Sequence, residues 1–245
     1  RRRERLHARL DALIAAARRE PGDDILSLLV GARYEDGAPM TDADVRAQLL
    51  LLVVAGHETT AIAIAWALYA LHRPENAGAR ERLLEELATL GPSDDVDPEV
   101  VAKLPYLSAV CDETLRRFPL APAPAPRRLL QPLELAGYTL PAGVGVAAAI
   151  GVAHLDPRTY PEPLRFRPER FLERTFSPFE FLPFGGGARR CLGAAMATYE
   201  MRIVVATILR SVDLRLASLR PDPGKIRATN AGPAYGVKVV VEARR

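Results

Sequence analysis

The spacing of apolar and polar residues predicts a mainly helical protein. Apolar positions recur at intervals of three and four residues, and Pro or Gly residues end several of the runs, as is typical of successive helices. The segments predicted to be helical are residues 3–20, the first part of 25–37, 41–71, 76–90 and 105–117, with a last helix that begins at about Cys191 and continues near Leu209. Thr41 and Asp44 form a capping box at the start of the longest helix.

This longest helix, residues 41–71, is apolar on nearly all sides and would span about 45 Å. The sequence GHETT interrupts it with His57, Glu58 and two threonines, which leaves apolar pieces of seven and eleven residues. Both pieces are shorter than the roughly twenty residues that a membrane span requires. We therefore interpret the segment as a helix through the centre of a soluble protein, with no membrane span.

The second half of the chain combines prolines with short alternating segments. In residues 120–128 the alternating prolines forbid a helix and favour extended backbone. Residues 133–150 are expected to form short strands separated by turns, and residues 226–242 a closing hairpin. Residues 154–187 are proline-rich but too apolar to be disordered, so they must pack against something. The predicted fold class is mainly α with small β-sheets, in a single domain over residues 1–245.

Composition and charge narrow the class of protein. Of the 245 residues 49% are hydrophobic, which is ample for a buried core. The net charge of +3 arises in residues 1–20, where seven arginines face three acids for +4, so the rest sums to −1. Nucleic-acid binding needs a basic stripe on a folded face, so no nucleic-acid partner is expected. Two cysteines, Cys111 and Cys191, make no disulfide framework, and a cytoplasmic setting is predicted.

The stretch FGGGARRCLG, residues 184–193, surrounds Cys191 with glycines and arginines. The predicted helix start favours an anion there, so the thiol is expected to be a nucleophile or a metal ligand. A nucleophile needs a general base, for which His154 and His57 are the only serious candidates, and neither lies in a catalytic motif. The glycines would let a flat cofactor approach the backbone closely, and Arg189 could pair with an anionic group on the rim of that cofactor. A planar macrocycle with carboxylate arms, haem, fits these demands.

The same stretch resembles the haem-binding signature of the cytochrome P450 family, F-x-x-G-x-R-x-C-x-G. The matching residues are Phe184, Gly187, Arg189, Cys191 and Gly193. Three other stretches agree in the order that the family has: AGHETT at residues 55–60, ETLR at 113–116 and PERF at 168–171. The resemblance covers residues 23–235 and implies a cytochrome P450-like fold that lacks its N-terminal part.

The resemblance also implies how a cofactor would be held. Heme b would have Cys191 as its axial ligand, and Phe184 would cover the sulfur. Arg127 would bind a propionate of the haem. Arg128 is the alternative, and the sequence does not decide between the two. The other expected contacts with the haem are Gly187, Gly193 and Arg189 in the cysteine stretch, and the small residues Ala55 and Gly56 in AGHETT.

Two further groups of residues have implied roles. Glu58 and Thr59 are expected to be catalytic, with Glu58 relaying protons from solvent and Thr59 donating a hydrogen bond to the oxygen that is activated. Glu113, Arg116 and Arg170 are expected to form a buried ionic network that holds the proline-rich segment. The apolar residues expected to contact substrate are Ala121, Ala123, Gly232 and Pro233.

The implied function is a haem-thiolate monooxygenase that uses O2, a small apolar organic substrate, and electrons from a partner such as a ferredoxin or flavodoxin with its reductase. Arg189 and Arg190 would offer that partner a basic docking surface. Two alternatives stay open. One is a haem-thiolate protein that uses peroxide or acts as a sensor, and the other is a truncated segment without haem or independent activity.

Overall fold

The computed structural model describes residues 1–92, 96–227 and 229–245, so Ala228, within the predicted closing hairpin, lies outside the described residues. The helices are α1 Arg2–Arg19, α2 Ile25–Gly31, α3 Asp42–Leu71, α4 Ala77–Ala88, α5 Pro98–Ala102, α6 Pro105–Arg117, α7 Ile150–Ala153, α8 Arg170–Glu173 and α9 Ala194–Ser211. The strands are β1 Arg127–Arg128, β2 Leu133–Leu135, β3 Tyr138–Leu140, β4 Gly145–Val146, β5 Val212–Leu216, β6 Lys225–Arg227, β7 Asn230–Gly232 and β8 Val239–Arg244.

The chain divides into two compact units, Arg1–Glu58 and Thr59–Arg245. The first unit contains α1, α2 and the first part of α3, around a small core of Ile14, Ala17, Val30 and Val45. Helix α3 begins as its sequence predicts, because the Thr41 hydroxyl accepts the backbone N–H of Asp44 at 3.2 Å.

The second unit has the larger core, to which the end of α3, α4, α6 and α9 contribute. Trp66 stacks on Phe118 with ring centres 4.4 Å apart, and Tyr69 meets both rings edge-on. The Glu86 carboxylate of α4 accepts the first backbone N–H groups of α6, from Tyr106 at 2.7 Å and Leu107 at 2.8 Å. A charge at the start of α6 therefore fixes the helix that carries ETLR.

The strands pair as separate two-stranded antiparallel ladders: β1 with β4, β2 with β3, β5 with β8, and β6 with β7. The predicted closing hairpin over residues 226–242 is therefore wrong in its second arm. β6 pairs with the adjacent β7, whereas β8 pairs with β5, which follows α9 directly. Alternation of apolar residues predicts a strand but not its partner, and here the partner lies more than twenty residues away.

Two further corrections concern helices. The short helices α5, α7 and α8 were not predicted, and α9 begins at Ala194 rather than at Cys191. Cys191 therefore precedes the helix, whose N-cap is Gly193. The expectation that a helical first turn surrounds the thiol is wrong for this reason.

Among the described residues one helix, α3, is long and apolar enough to cross a membrane by length and composition. Its most apolar window has a mean hydropathy of 1.7, and 17% of that window is buried. A helix through the centre of a protein would be mostly buried, so this window does not show the burial that the sequence predicted, and the absence of a membrane span stays a prediction.

Candidate functional site

The ETLR helix and the proline-rich segment meet in a buried ionic network. Glu113 Oε2 accepts Arg116 Nε at 2.6 Å and lies 3.0 Å from Arg170 Nε, and Oε1 accepts Arg116 Nη2 at 2.8 Å. The Arg167 backbone N–H also donates to Oε1, at 2.8 Å. Glu113 and Arg116 are fully buried and Arg170 nearly so. The structure thus brings the three predicted network residues together.

Backbone carbonyls accept hydrogen bonds from guanidinium N–H groups of Arg116 and Arg170 that do not contact Glu113. Arg116 Nη1 donates to the His154 carbonyl at 2.8 Å, and Arg170 Nη1 to the Pro161 carbonyl at 3.2 Å. Both guanidinium groups also lie over the Tyr160 ring. Because those carbonyls belong to residues between α7 and α8, the network ties the irregular segment to α6, as expected from a bidentate clamp.

The stretch around Cys191 forms an open loop. Its Cys191 backbone N–H donates to the Phe184 carbonyl at 3.0 Å, which closes the turn, and the thiol is free and exposed. Gly185 and Gly187 have φ of +70° and +67°, a conformation that other residues rarely adopt. A Cβ added at Gly187 or at Gly193 would meet nothing within 4 Å. The glycines therefore shape the loop and leave its surroundings clear.

Phe184 is partly buried and packs against the core of the second unit, so it anchors one end of this loop. Arg189 ends a single 3₁₀ turn and is exposed, with no ion pair among the described residues. An exposed thiol, clear backbone and an unpaired guanidinium are the donor set that a macrocycle with carboxylate arms requires. The residues present fit haem.

The two candidate propionate arginines are neighbours in β1, where successive side chains point to opposite faces. The Arg128 guanidinium lies close to Gly143, 3.9 Å from the position that a Cβ there would take. Arg127 is exposed and has no ion pair among the residues that the structure describes. Arg128 is likewise exposed and has no ion pair among these residues, so the choice between Arg127 and Arg128 stays open.

The AGHETT residues lie along α3. Ala55, Gly56 and Glu58 are exposed at the end of the first unit, and Thr59, half-buried, begins the second. The next residue, Thr60, is buried, and its hydroxyl has no hydrogen-bond partner among the described residues. Thr60 was not singled out from the sequence, because a threonine in an apolar helix usually bonds a carbonyl one turn back.

The predicted substrate-contact residues come from two segments that the structure brings side by side. The Ala231 backbone N–H donates to the Leu120 carbonyl at 2.6 Å, which joins the strand that ends at Gly232 to the segment that begins at Ala121. Ala121 is half-buried and Ala123 exposed, whereas Gly232 and Pro233 are buried. A Cβ at Gly232 would lie 3.5 Å from Ile62.

A carboxylate missed by sequence reasoning holds this region. Asp222 accepts three backbone N–H groups, from Gly224 at 2.8 Å, Ala234 at 2.7 Å and Tyr235 at 3.0 Å. These hydrogen bonds lower the pKa of Asp222 against the opposing effect of burial. No local motif marks such a residue, because two of its partners lie twelve or more positions away.

His154 also takes a place that the sequence did not indicate. Its ring is fully buried, its Nε2 accepts the Leu182 backbone N–H at 2.9 Å, and its carbonyl accepts Arg116. Burial, together with the nearby charge of Arg116, lowers the pKa of His154 to about 4. The nitrogen that a general base would use is thus already engaged.

Two surface cavities of about 440 and 360 Å³ occur in the second unit. The larger lies between the end of α3, the start of α4 and β5, and the smaller between α4 and the start of α6. None of the predicted site residues lines either of them.

A buried Glu–Arg–Arg network and a glycine-shaped cysteine loop are both features expected of a haem-thiolate protein, and comparison with known proteins gives the same class. The sequence model described as cytochrome P450 matches residues 2–231. The chain therefore belongs to the cytochrome P450 family. Membership implies, at the level of the family, haem bound through a cysteine thiolate and monooxygenase chemistry.

Curated relatives agree. A Mycobacterium tuberculosis protein named "Putative cytochrome P450 135B1" is 41% identical over 250 residues, which cover 100% of this chain and 51% of the relative. Another from the same organism, "Putative cytochrome P450 137", is 37% identical over 233 residues, covering 93% of this chain and 46% of the relative. The chain spans about half the length of these relatives.

Solved structures confirm the predicted fold. The retinoic acid-bound cyanobacterial CYP120A1 is 32% identical with a TM-score of 0.85, and the match covers 98% of this chain and 56% of that one. The cytochrome P450 CYP102L1 is 27% identical with a TM-score of 0.86, covering 99% and 56%.

Proposed function

We propose that this chain supplies the haem-binding part of a monooxygenase that inserts one oxygen atom from O2 into a small apolar organic substrate. The observation that carries the proposal is the free, exposed thiol of Cys191 in a loop that glycines keep clear.

Cys191 would ligate heme b as the thiolate, while Arg189 and Arg127 would pair with its propionates. Phe184 would shield the sulfur, and Gly187, Gly193, Ala55 and Gly56 would allow close approach of backbone. When bound, haem with a thiolate ligand supplies the oxygen-activating chemistry. Glu113, Arg116 and Arg170 would keep the cysteine loop and the proline-rich segment in place for it.

Glu58 and Thr59 would handle protons. A carboxylate that is exposed on α3 can exchange protons with water, and the neighbouring Thr59 hydroxyl can both accept and donate a hydrogen bond. Their adjacency in the sequence supports a short relay from solvent to the reacting oxygen.

An apolar substrate is supported by the composition of the candidate contact residues Ala121, Ala123, Gly232 and Pro233, which carry no charged or hydrogen-bonding side chain. The retinoic acid named for the structural neighbour CYP120A1 is itself a largely apolar organic molecule. We propose the same broad class of substrate here.

Electrons would come from a ferredoxin or flavodoxin with its reductase, in the cytoplasm. Arg190 is exposed beside the cysteine loop, and together with Arg189 it offers positive charge to an acidic partner. Raising the salt concentration should therefore slow electron transfer from such a partner.

The first test is the reduced, carbon-monoxide difference spectrum of the complete natural polypeptide. A strongly red-shifted Soret band reports thiolate ligation, and Cys191→Ser should abolish it. Cys111→Ser is the matched control, because Cys111 is the other free cysteine and is buried. A wild-type protein without the band, or a Cys191→Ser protein with it, would overturn the proposal.

The second test uses Thr59→Ala, which should leave the carbon-monoxide spectrum intact while diverting consumed O2 to peroxide. We expect the ratio of product to reduced cofactor consumed to fall about tenfold or more, as for loss of a proton donor. Thr207→Ala, at another threonine of a helix in the second unit, is the control. Unchanged coupling in Thr59→Ala, or turnover with peroxide alone, would favour the peroxide-using or sensor alternative.

A further inference from the structure

The buried imidazole of His154 joins two parts of the second unit that lie far apart in the sequence. On one side the His154 carbonyl accepts Arg116 Nη1 at 2.8 Å, so the residue belongs to the Glu113–Arg116–Arg170 network. On the other side its Nε2 accepts the Leu182 backbone N–H at 2.9 Å. One residue therefore connects the ionic network to the segment that leads into the cysteine loop.

The contacts continue from Leu182 to the cysteine through the backbone. The Leu182 carbonyl accepts the Gly185 N–H at 2.9 Å, and the Phe184 carbonyl accepts the Cys191 N–H at 3.0 Å. The ring of Phe181 stacks on the imidazole with centres 5.8 Å apart. The start of the loop is thus held by a hydrogen bond and a ring contact from the same side chain.

The arrangement fixes the tautomer of His154. Because Nε2 accepts a hydrogen bond, the neutral ring carries its proton on Nδ1, and this buried atom has no hydrogen-bond partner among the described residues. An unsatisfied buried donor costs free energy, and an apolar side chain of similar size would avoid that cost. The acceptor at Nε2 is the feature that an apolar side chain would lack.

We propose that His154 is a positioning residue that sets the cysteine loop for haem-thiolate ligation through its Nε2 contact with the Leu182 N–H. This inference rests on the proposed function, since the ligand that the loop would offer is Cys191. His154 itself would contact neither cofactor nor substrate.

The test compares His154→Gln with His154→Met in the complete natural polypeptide. Both side chains are unbranched and similar in length, but only Gln offers a carbonyl acceptor for the Leu182 N–H. The first readout is the fraction of bound haem that shows the red-shifted carbon-monoxide band. The second is hydrogen exchange at the Leu182 amide, which needs no haem.

We expect His154→Gln to keep the wild-type band, and His154→Met to lose it in a large fraction of the haem-loaded protein. Exchange at Leu182 should be roughly tenfold faster in His154→Met than in His154→Gln. His72→Met is the matched control, because His72 is also a buried histidine that bonds a backbone carbonyl, that of Leu68 at 2.7 Å. It should leave both readouts as in the wild type.

Equal bands in His154→Gln and His154→Met would overturn the positioning role, while a wild-type band would leave the proposed function standing. Equal loss in His72→Met would also overturn it, because the effect would then be general destabilisation. If His154→Met is insoluble, His154→Gln decides alone: a folded Gln protein that loses the band contradicts the proposal, and one that keeps both readouts supports it. If no protein shows the band, the proposed function fails, and Leu182 exchange still reports whether the contact exists.

Discussion

The Glu113 network and the Cys191 loop lie in the same unit but satisfy their polar groups in opposite ways. Both oxygens of Glu113 accept hydrogen bonds, and carbonyls take N–H groups of Arg116 and Arg170. Cys191 is free and exposed, and Arg189 has no ion pair among the described residues. The charged groups that hold the fold together are therefore buried and paired, whereas the groups that a ligand would contact are exposed and have no protein partner among the described residues.

The largest expected effect comes from opening the closed network. Glu113→Ala leaves two buried guanidinium groups without their carboxylate, which costs about 3–5 kcal/mol. We expect the complete polypeptide to lose haem incorporation, measured as haem per purified protein. Glu99→Ala is the control, because it breaks an exposed pair with Lys103 and should leave haem content unchanged. Full haem content in soluble Glu113→Ala protein would contradict the role assigned to the network.

The next effect is the loss of stability at acid pH that the buried His154 should cause. Burial holds the pKa of His154 at about 4, below its ordinary 6.5, so the unfolded chain binds more protons between those values. The contribution to stability is complete above about pH 6.5 and is lost as the pH falls to about 4, with a total of about 3 kcal/mol. His154→Gln should flatten this dependence in urea titrations. The same slope in both proteins would show that the histidine is not buried in its neutral form.

Asp112, next to Glu113 in α6, is a half-buried acid that no arginine pairs as closely as Arg116 pairs Glu113. Burial raises its pKa to about 6, and Arg202 lowers it only in part. The folded protein therefore binds more protons than the unfolded chain between pH 4 and 6, and stability falls as the pH rises through that window, by about 3 kcal/mol.

Asp112→Asn should remove this loss. The free energy of unfolding of the variant should exceed that of the wild type at pH 8, and the gain should vanish near pH 4. A gain of the same size at both pH values would instead indicate a packing effect. Glu113 and Asp112 would then differ for another reason. The contrast between them rests on paired cations and N–H groups, rather than burial alone, deciding whether a carboxylate is tolerated.

The smallest expected effect comes from alanine substitutions at two glycines of the cysteine loop, which distinguish a need for positive φ from a need for space beside the backbone. Gly187 has φ of +67° and Gly193 has φ of −82°, and a Cβ at either would meet nothing within 4 Å. Gly187→Ala should cost about 1–2 kcal/mol of stability, whereas Gly193→Ala should change it by less than about 0.5 kcal/mol. A reduced haem content in Gly193→Ala at unchanged stability would support its role as clearance. Equal stability losses would mean that φ does not decide the difference.

Local signals in the sequence predicted the longer helices, although they missed the short ones. The capping box at Thr41 and the proline at Pro105 mark helix starts that the structure confirms, and Pro119 lies just past the end of α6. The motifs that placed the chain in its family are also local. Each of these features depends on residues within one or two turns of helix, which is the range that sequence patterns report.

Long-range partners could not be predicted in the same way. The ladder of β5 with β8, the three N–H groups on Asp222 and the contact of His154 with Leu182 each join residues that are distant in the sequence. The sequence around His154 carries no catalytic motif, but it does not show which groups the ring contacts. Only the fold places its ring between the ionic network and the cysteine loop.

The two cysteines give the protein a built-in gauge of cofactor loading. Cys111 is fully buried, and burial raises the pKa of its thiol, so an alkylating reagent should label Cys191 alone in the native state. If haem occupies Cys191 as proposed, the number of labelled thiols per molecule counts the unloaded fraction. A preparation could then be sorted by reagent uptake before any spectrum is recorded, and its shelf life followed through oxidation of a single sulfur.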